Sequence, residues 1–282
     1  MVYVFCAFYG ECSGLIKHYN LKKRQTDKYY RFDVFENENQ PVRIILTGQG
    51  SVMAAAALSG AASFFGIKAE DAIINVGTCA GNYEPGQVFI CNKITEEATG
   101  RTFYPDMILR SSLPERELVT APVVIRKSIH EYANKDSHNM ALYDMEAAAI
   151  YQAANLYVGP HRMGFVKVVS DNGDIEGLTP DFIKGLMAEA VDEIASYVDR
   201  FVADTHDMCR AEESTQFTNQ LCKDLHCSKV MENQVRQLIK YLSLEGTDYM
   251  TYINKLYDEG RLPAHDKKNG KVCLDEIKRE LL

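Results

Sequence analysis

Three acidic residues stand where an apolar segment meets a turn or a helix start, positions at which a carboxyl can be both part-desolvated and aimed. Asp171 ends the run FVKVVSD (165–171). Partial burial there would raise its pKa toward the range a general acid needs, and Ser170 beside it can hold the carboxyl by a hydrogen bond. The following Asn172-Gly173 allows a second reading, in which Ser170 and Asp171 only cap a turn. Glu146, in LYDMEAAAI (142–150), lies in the first turn of an apolar helix, where a carboxylate also suits the helix dipole. Glu11 follows the first apolar run, either as a working base or as a solvated loop residue. Two small-residue turns accompany them, TGQG (47–50) ahead of an Ala-rich helix and VGTCAG (76–81) at the end of a strand, and Gly77 and Gly81 permit close backbone approach.

These residues need a scaffold that gathers them. Short β-rich runs recur at 2–8, 42–48, 71–77, 86–94, 123–129 and 165–171. Several are continuously apolar, which suits strands buried on both faces of a largely parallel sheet. Helical stretches lie between: 51–66, closed by Gly66; 144–157; and 180–205, with Thr179 as N-cap, Pro180 at the first helical position, and Phe182, Leu186, Ala190 and Ile194 near one face. Alternating strands and helices make an α/β fold, and in such folds ligands bind where strand ends gather on one edge.

The character changes near residue 204. Helical patterns at 231–246, 250–260 and 272–282, with the polar turn RLPAHDKKNGK before the last, predict a catalytic domain over 1–203 and a small helical appendage over 204–282. The appendage holds 12 basic against 14 acidic residues, so it is no nucleic-acid arm. His206, Cys209, Cys222, His226 and Cys227 form close Cys/His pairs, but their overall spacing is not that of a recognised zinc finger, and a helical module without metal is the default.

Composition excludes several classes. A net charge of −8 argues against nucleic acid and anionic membrane as partners. No apolar run approaches the roughly 18 residues of a membrane span. The start MVYVFCAFYGE has no basic leader, and eight irregularly spaced cysteines fit reduced thiols, so a cytoplasmic protein is expected.

The combination VGTCAG, DMEAAAI and VSDNGD, in that order over residues 1–203, resembles the purine nucleoside phosphorylase and nucleosidase superfamily, with the methylthioadenosine/S-adenosylhomocysteine nucleosidases as the nearest pattern. The resemblance implies a central twisted mixed sheet flanked by helices, a homodimer, a purine nucleoside as the small-molecule partner, and no metal or organic cofactor. It gives Asp171 the part of the acid that protonates purine N7 as the glycosidic bond breaks, assisted by Ser170. Glu146 would accept both ribose hydroxyls, with its charge facing the developing cationic sugar. Met145 would pack on the sugar face, and Glu11 would activate water. Thr78 would contact the ribosyl or nucleophile side, and Cys79, Gly81 and Tyr143 belong to the same binding segments. Phe103, in TGRTFYPDM (99–107), would wall the 5′ side, partly across the dimer. Lys167 stands where the nucleosidases carry Arg and would pair with Glu11. Gln49 replaces an apolar residue and leaves room for a more polar 5′ group.

Water or phosphate as nucleophile is the main fork. Asn75 stands where hexameric phosphorylases have Arg, the first loop has no Arg, Arg43 is one residue out of register, and Arg101 is the remaining candidate anion ligand. Hydrolysis is therefore favoured, with phosphorolysis as the alternative. A non-catalytic nucleoside-binding module is the reading from another class, disfavoured because a binder has no need of a leaving-group acid.

Overall fold

The computed structural model describes residues 1–25, 28–125 and 141–281, excluding the side chains of residues 206–214 and 244. Contacts divide the chain into two compact units, Met1–His206 and Asp207–Leu282.

The first unit is built on one mixed sheet. Its strands are β1 (Val2–Cys6), β2 (Lys22–Lys23), β3 (Val34–Glu36), β4 (Val42–Leu46), β5 (Ala72–Ala80), β6 (Val88–Glu96), β7 (Thr102–Phe103), β8 (Glu115–Thr120), β9 (Leu142–Asp144) and β10 (Met163–Asp171). The parallel strands β4, β1, β5 and β10 form its centre. From β10 the sheet curls through β6, β8 and β9, and β9 pairs again with β5. The circuit β5–β10–β6–β8–β9 is thus a closed ring, and β1, β4, β3 and β2 trail from β5 as an open extension.

The central strands are apolar on both sides because helices cover both faces, as a parallel sheet requires. One core joins the sheet to α2 (Ser51–Phe65) and α3 (Ala147–Ala154) through Leu58, Ala61, Ile150 and Phe165. The other joins it to α1 (Tyr9–His18), α4 (Pro180–Glu189) and the start of α5 (Val191–Asp224) through Leu15, Met187, Ile194 and Phe201. α2 ends at Gly66 in the left-handed conformation, and α4 starts from Thr179, whose hydroxyl accepts from the Phe182 amide.

The structure differs from the sequence reading at several points. The stretch 180–205 is two helices, broken at Ala190, and Phe182 lies exposed off the buried face of Leu186 and Ala190. Val123–Ile125 carries no strand, and the rest of the expected strand, 126–129, lies outside the described residues. The strand of this region is β8 instead, whose ERELVT has three charged residues before Leu118 and Val119 and so gives neither a continuous apolar run nor an alternation.

The second unit has helices and no strand among its described residues, with α6 (Lys229–Glu245), α7 (Tyr249–Asp258) and α8 (Lys267–Leu281) packed through Leu225, Val235, Leu242, Ile253 and Ile277. α8 begins four residues before the end of the expected polar turn. A Cβ on Gly270 would sit 1.9 Å from the Leu225 carbonyl oxygen, so only glycine allows the helix this close. The His206 and Cys209 side chains lie outside the described residues. His226 Nε2 is 3.0 Å from the Ala264 carbonyl, and no metal-holding cluster occurs among the described residues. Nor is any described helix long and apolar enough to cross a membrane.

Candidate active site

The ends of β1, β5, β9 and β10 and the starts of α1, α2 and α3 surround a cavity of about 400 Å³. Glu11, Gln49, Thr78, Cys79, Tyr143, Met145, Glu146, Ser170 and Asp171 all line it. Gly81 and Phe103 do not. The Gly81 amide donates to the Asp171 carbonyl, and a Cβ there would meet Leu142 at 2.8 Å, so this glycine serves packing. Phe103 stacks on Tyr151, with ring centroids 5.1 Å apart, in a separate depression with Arg101 and Leu156. Asp144, Phe8, Ile175, Leu178 and Ile183 line the cavity and were not anticipated. Asp144 sits inside DMEAAAI and was legible there as a second acid; the three aliphatic residues follow Asp171 in a loop and helix with no chemical signature.

Asp171 closes β10. Its Oδ2 is 2.7 Å from the Ser170 hydroxyl, and its Oδ1 accepts from the Gly173 amide at 2.8 Å. Burial raises its pKa above the ordinary carboxyl value, opposed by those two donors. The two sequence readings thus coexist: the turn is capped by the same carboxyl that faces the cavity. Ser170 Oγ also lies 3.1 Å from the Cys79 carbonyl. A hydroxyl has one proton to give. When it goes to Cys79, the Ser170 oxygen can accept from a protonated Asp171; when Asp171 is ionised, the hydroxyl turns to it. Ser170 therefore accommodates both states an acid must pass through.

Glu146 is the N-cap of α3 rather than a residue of its first turn. Its Oε1 accepts from the Gly50 amide at 2.7 Å and its Oε2 from the Met145 amide at 3.3 Å. Gly50 reaches it because the TGQG turn holds Gly48 and Gly50 at φ of 76° and 93°, which glycine adopts without strain. Gln49 Nε2 caps the Met145 sulfur at 3.1 Å on the same wall. Burial, with the charge of Asp144 beside it, pushes the Glu146 carboxyl up to about 7, against the opposing pull of Lys167 and the Gly50 amide.

Lys167 does not pair with Glu11. Its Nζ lies 2.8 Å from Asp144, both side chains being essentially inaccessible at 1% and 0%. Asp144 accepts in addition from the Thr120 hydroxyl at 2.7 Å and the Ala147 amide at 2.8 Å. The short β9 places Asp144 in this position, and nothing local to VKVVSD announces it.

Glu11 occupies a break in the sheet. The β1–β5 ladder ends at the Phe5–Asn75 pair, so the Thr78 amide has no strand partner on that side. Glu11 Oε1 takes it at 2.7 Å and takes the Thr78 hydroxyl at 2.8 Å, while Oε2 accepts the amides of Ala7 at 2.9 Å and Phe8 at 3.1 Å. Gly77 makes the room: a Cβ there would lie 3.1 Å from Oε1.

The arginines weighed as phosphate ligands are used elsewhere. Arg43 pairs with Glu36 at 2.7 Å and lies over Phe65, and Arg101 donates to Gln152 while covering Phe103. Asn75 is buried, donating to the Phe5 carbonyl at 3.1 Å.

No family model and no curated protein matches the sequence. Solved structures do match. The 5′-methylthioadenosine/S-adenosylhomocysteine nucleosidase of Neisseria meningitidis, in complex with methylthio-immucillin-A, is 20% identical and aligns over 72% of this chain and 97% of its own, with a TM-score of 0.55. The Streptococcus pneumoniae enzyme of the same name gives 20%, 71%, 97% and 0.53. This chain has the fold of the methylthioadenosine/S-adenosylhomocysteine nucleosidases. The nucleosidase fold also extends to futalosine hydrolase of Helicobacter pylori, at 10% identity over 73% of this chain and 97% of that one, with a TM-score of 0.56. Each of these nucleosidase-fold structures is covered almost whole, so this chain carries the complete fold and further residues besides.

The state of Glu146 sets a pH dependence. If Glu146 is the ribose ligand that the resemblance implies, two hydroxyls donate to it, so a ribonucleoside would bind the ionised form and lower its pKa. Below about 7, binding must expel a proton, and affinity should fall by about tenfold per pH unit. Titration calorimetry from pH 5.5 to 8 in buffers of different ionisation heat checks this; affinity independent of pH, with no proton release, refutes the assignment. In Glu146→Gln the pH dependence should vanish, and ribonucleosides should lose about 1.5–3 kcal/mol more than 2′-deoxynucleosides.

Proposed function

We propose that the protein hydrolyses the N-glycosidic bond of a purine nucleoside, with Asp171 as the acid on the leaving purine, Glu146 as the ribose ligand and Glu11 as the ultimate acceptor of a proton from water. One observation carries the choice of water over phosphate. Glu11, Asp144, Glu146 and Asp171 all line the cavity, and no Lys, Arg or His is among the described residues that do. Lys167 lies behind the wall, held by Asp144 at 2.8 Å, so among the described residues no cation is free to take a dianionic phosphate, whereas a neutral water meets a set of acceptors. Departure of the purine leaves a cationic sugar, which this same field favours.

The substrate class we propose is an adenosine-type nucleoside, with methylthioadenosine and S-adenosylhomocysteine as the first candidates. Gln49, exposed on the cavity rim beside Met145, favours including substrates with a polar 5′ group. We further propose a homodimer, supported by the exposure of Tyr104 (58%) and Leu156 (75%) beside Phe103 and Tyr151. A cytoplasmic setting is supported by the cysteines, every described one of which is a free thiol.

The deciding experiment incubates the full chain with methylthioadenosine, S-adenosylhomocysteine, adenosine and futalosine, with and without millimolar phosphate, and identifies the sugar product. Free sugar formed in phosphate-free buffer, with no acceleration by phosphate, is the expected result. Glu11→Gln should lose about 10²–10⁴ of that rate, since the amide cannot take up a proton. A strict need for phosphate, with ribose 1-phosphate as product, makes the protein a phosphorylase; tight binding without cleavage makes it a nucleoside-binding module.

A further inference from the structure

Glu11 has no acceptor position left for water. An ionised carboxylate offers about four lone-pair sites, and Glu11 has four donors on them: the amides of Ala7, Phe8 and Thr78 and the hydroxyl of Thr78. Three of these donors are backbone groups fixed by β1, the start of α1 and β5. The fourth is a side-chain hydroxyl, and a hydroxyl is itself an acceptor. Thr78 also lines the cavity and is half-buried, whereas Glu11 is 5% exposed. Glu11 borders the cavity too, but with its acceptor positions filled, and of its four donors only the Thr78 hydroxyl can both receive a proton and pass one on.

We propose that Thr78 is a catalytic residue that relays the proton of the attacking water to Glu11. The step rests on the hydrolytic reading above. The water oxygen bonds to the anomeric carbon C1′ as the C1′–N9 bond breaks. The pair of that bond goes to the purine, which takes the Asp171 proton at N7. The water gives its proton to Thr78 Oγ1, and Thr78 Oγ1 gives its own to Glu11 Oε1 along the 2.8 Å contact. The products are the free sugar, neutral purine, protonated Glu11 and ionised Asp171, and exchange with solvent restores both carboxyls. Gly77 belongs to the device, because any side chain there would crowd Oε1, the atom that receives the proton.

The relay differs from direct base catalysis in what removal of the hydroxyl does. Thr78→Val keeps the shape and the amide but places a methyl group on the proton path, and kcat for hydrolysis should fall about 10²–10⁴-fold, with nucleoside affinity little changed. Thr78→Ser keeps the relay and should stay within a few-fold of the parent. Thr78→Ala leaves space for a second water to carry the proton and should fall between the two. Because relay and base act as one unit, the Glu11→Gln/Thr78→Val double variant should be no slower than the slower single variant. Direct action of Glu11 predicts the reverse, since Thr78→Val then frees a lone pair and leaves kcat unchanged or raised. That result, an activity order other than Ser above Ala above Val, or multiplicative losses in the double variant overturns the relay. If Thr78→Val does not fold, judged by its melting curve, the Ser–Ala comparison carries the test. A parent enzyme that releases no free sugar without phosphate overturns hydrolysis and the relay together, whereas a hydrolytic parent with an active Thr78→Val overturns the relay alone.

Discussion

Asp171→Asn is expected to lower turnover by about 10²–10⁴ while leaving nucleoside affinity within a few-fold. The amide fits the same space, still accepts the Gly173 amide, and can still donate to purine N7. It cannot surrender a proton as the C1′–N9 bond lengthens, so the loss falls on kcat and not on binding. The effect should shrink for a substrate whose leaving group needs no acid, such as 4-nitrophenyl riboside. Steady-state kinetics on methylthioadenosine and on that substrate, with equilibrium binding measured separately, makes the comparison. Equal losses on both substrates, or near-normal turnover on the nucleoside, removes Asp171 from the acid's role.

Lys167→Met is expected to destabilise the fold by about 3–5 kcal/mol, because it leaves a buried carboxylate without its counter-ion. That is a large share of the roughly 5–15 kcal/mol by which a domain is stable. Asp144 keeps two hydrogen-bond donors, from Thr120 and Ala147, but these carry no full charge. The Lys167→Met/Asp144→Asn variant removes the orphaned charge and should recover most of the loss, the signature of a coupled pair. Denaturant unfolding of the four proteins closes the cycle; additive losses show that the pair contributes nothing as a pair. Lys167 also favours the ionised form of Glu146. In the single variant, if it folds, the acid side of the ribonucleoside-affinity profile should therefore move to higher pH.

The parts of this site that the sequence displayed are those where chemistry and local structure coincide. Ser170 and Asp171 end an apolar strand, Glu146 begins an apolar helix, and VGTCAG ends another strand, so each could be placed at a sheet edge from its own neighbours. The pairing of Lys167 could not. The resemblance put it near Glu11, yet its partner comes from β9, a strand of three residues without periodicity, delivered by closure of the ring. Phe103 was placed by the resemblance, partly across a dimer; within one chain β7 pairs it to β6 and it stacks on Tyr151, a pairing its own neighbours do not announce. The saturation of Glu11 was equally invisible, since it depends on β1 leaving β5 at Asn75 and on Gly77 leaving space beside Thr78. Helix breaks such as Ala190 escape pattern reading because alanine favours helix on both sides of the break.

The closed ring of strands also governs when the site comes into being on the ribosome. Its last member, β10, contributes Lys167, Ser170 and Asp171 and joins β5 across a gap in sequence; Ser170 and the Cys79 carbonyl it meets are 91 positions apart. Pairings of such separation form late and slowly, because a long loop must close first. Until β10 emerges, β5 and β6 each lack a neighbour and present open backbone edges, the state in which strands join the wrong chain. A nascent chain halted before residue 163 would hold Glu11 and Glu146 but lack Asp171 and the buried cation Lys167, with one edge each of β5 and β6 still unpaired.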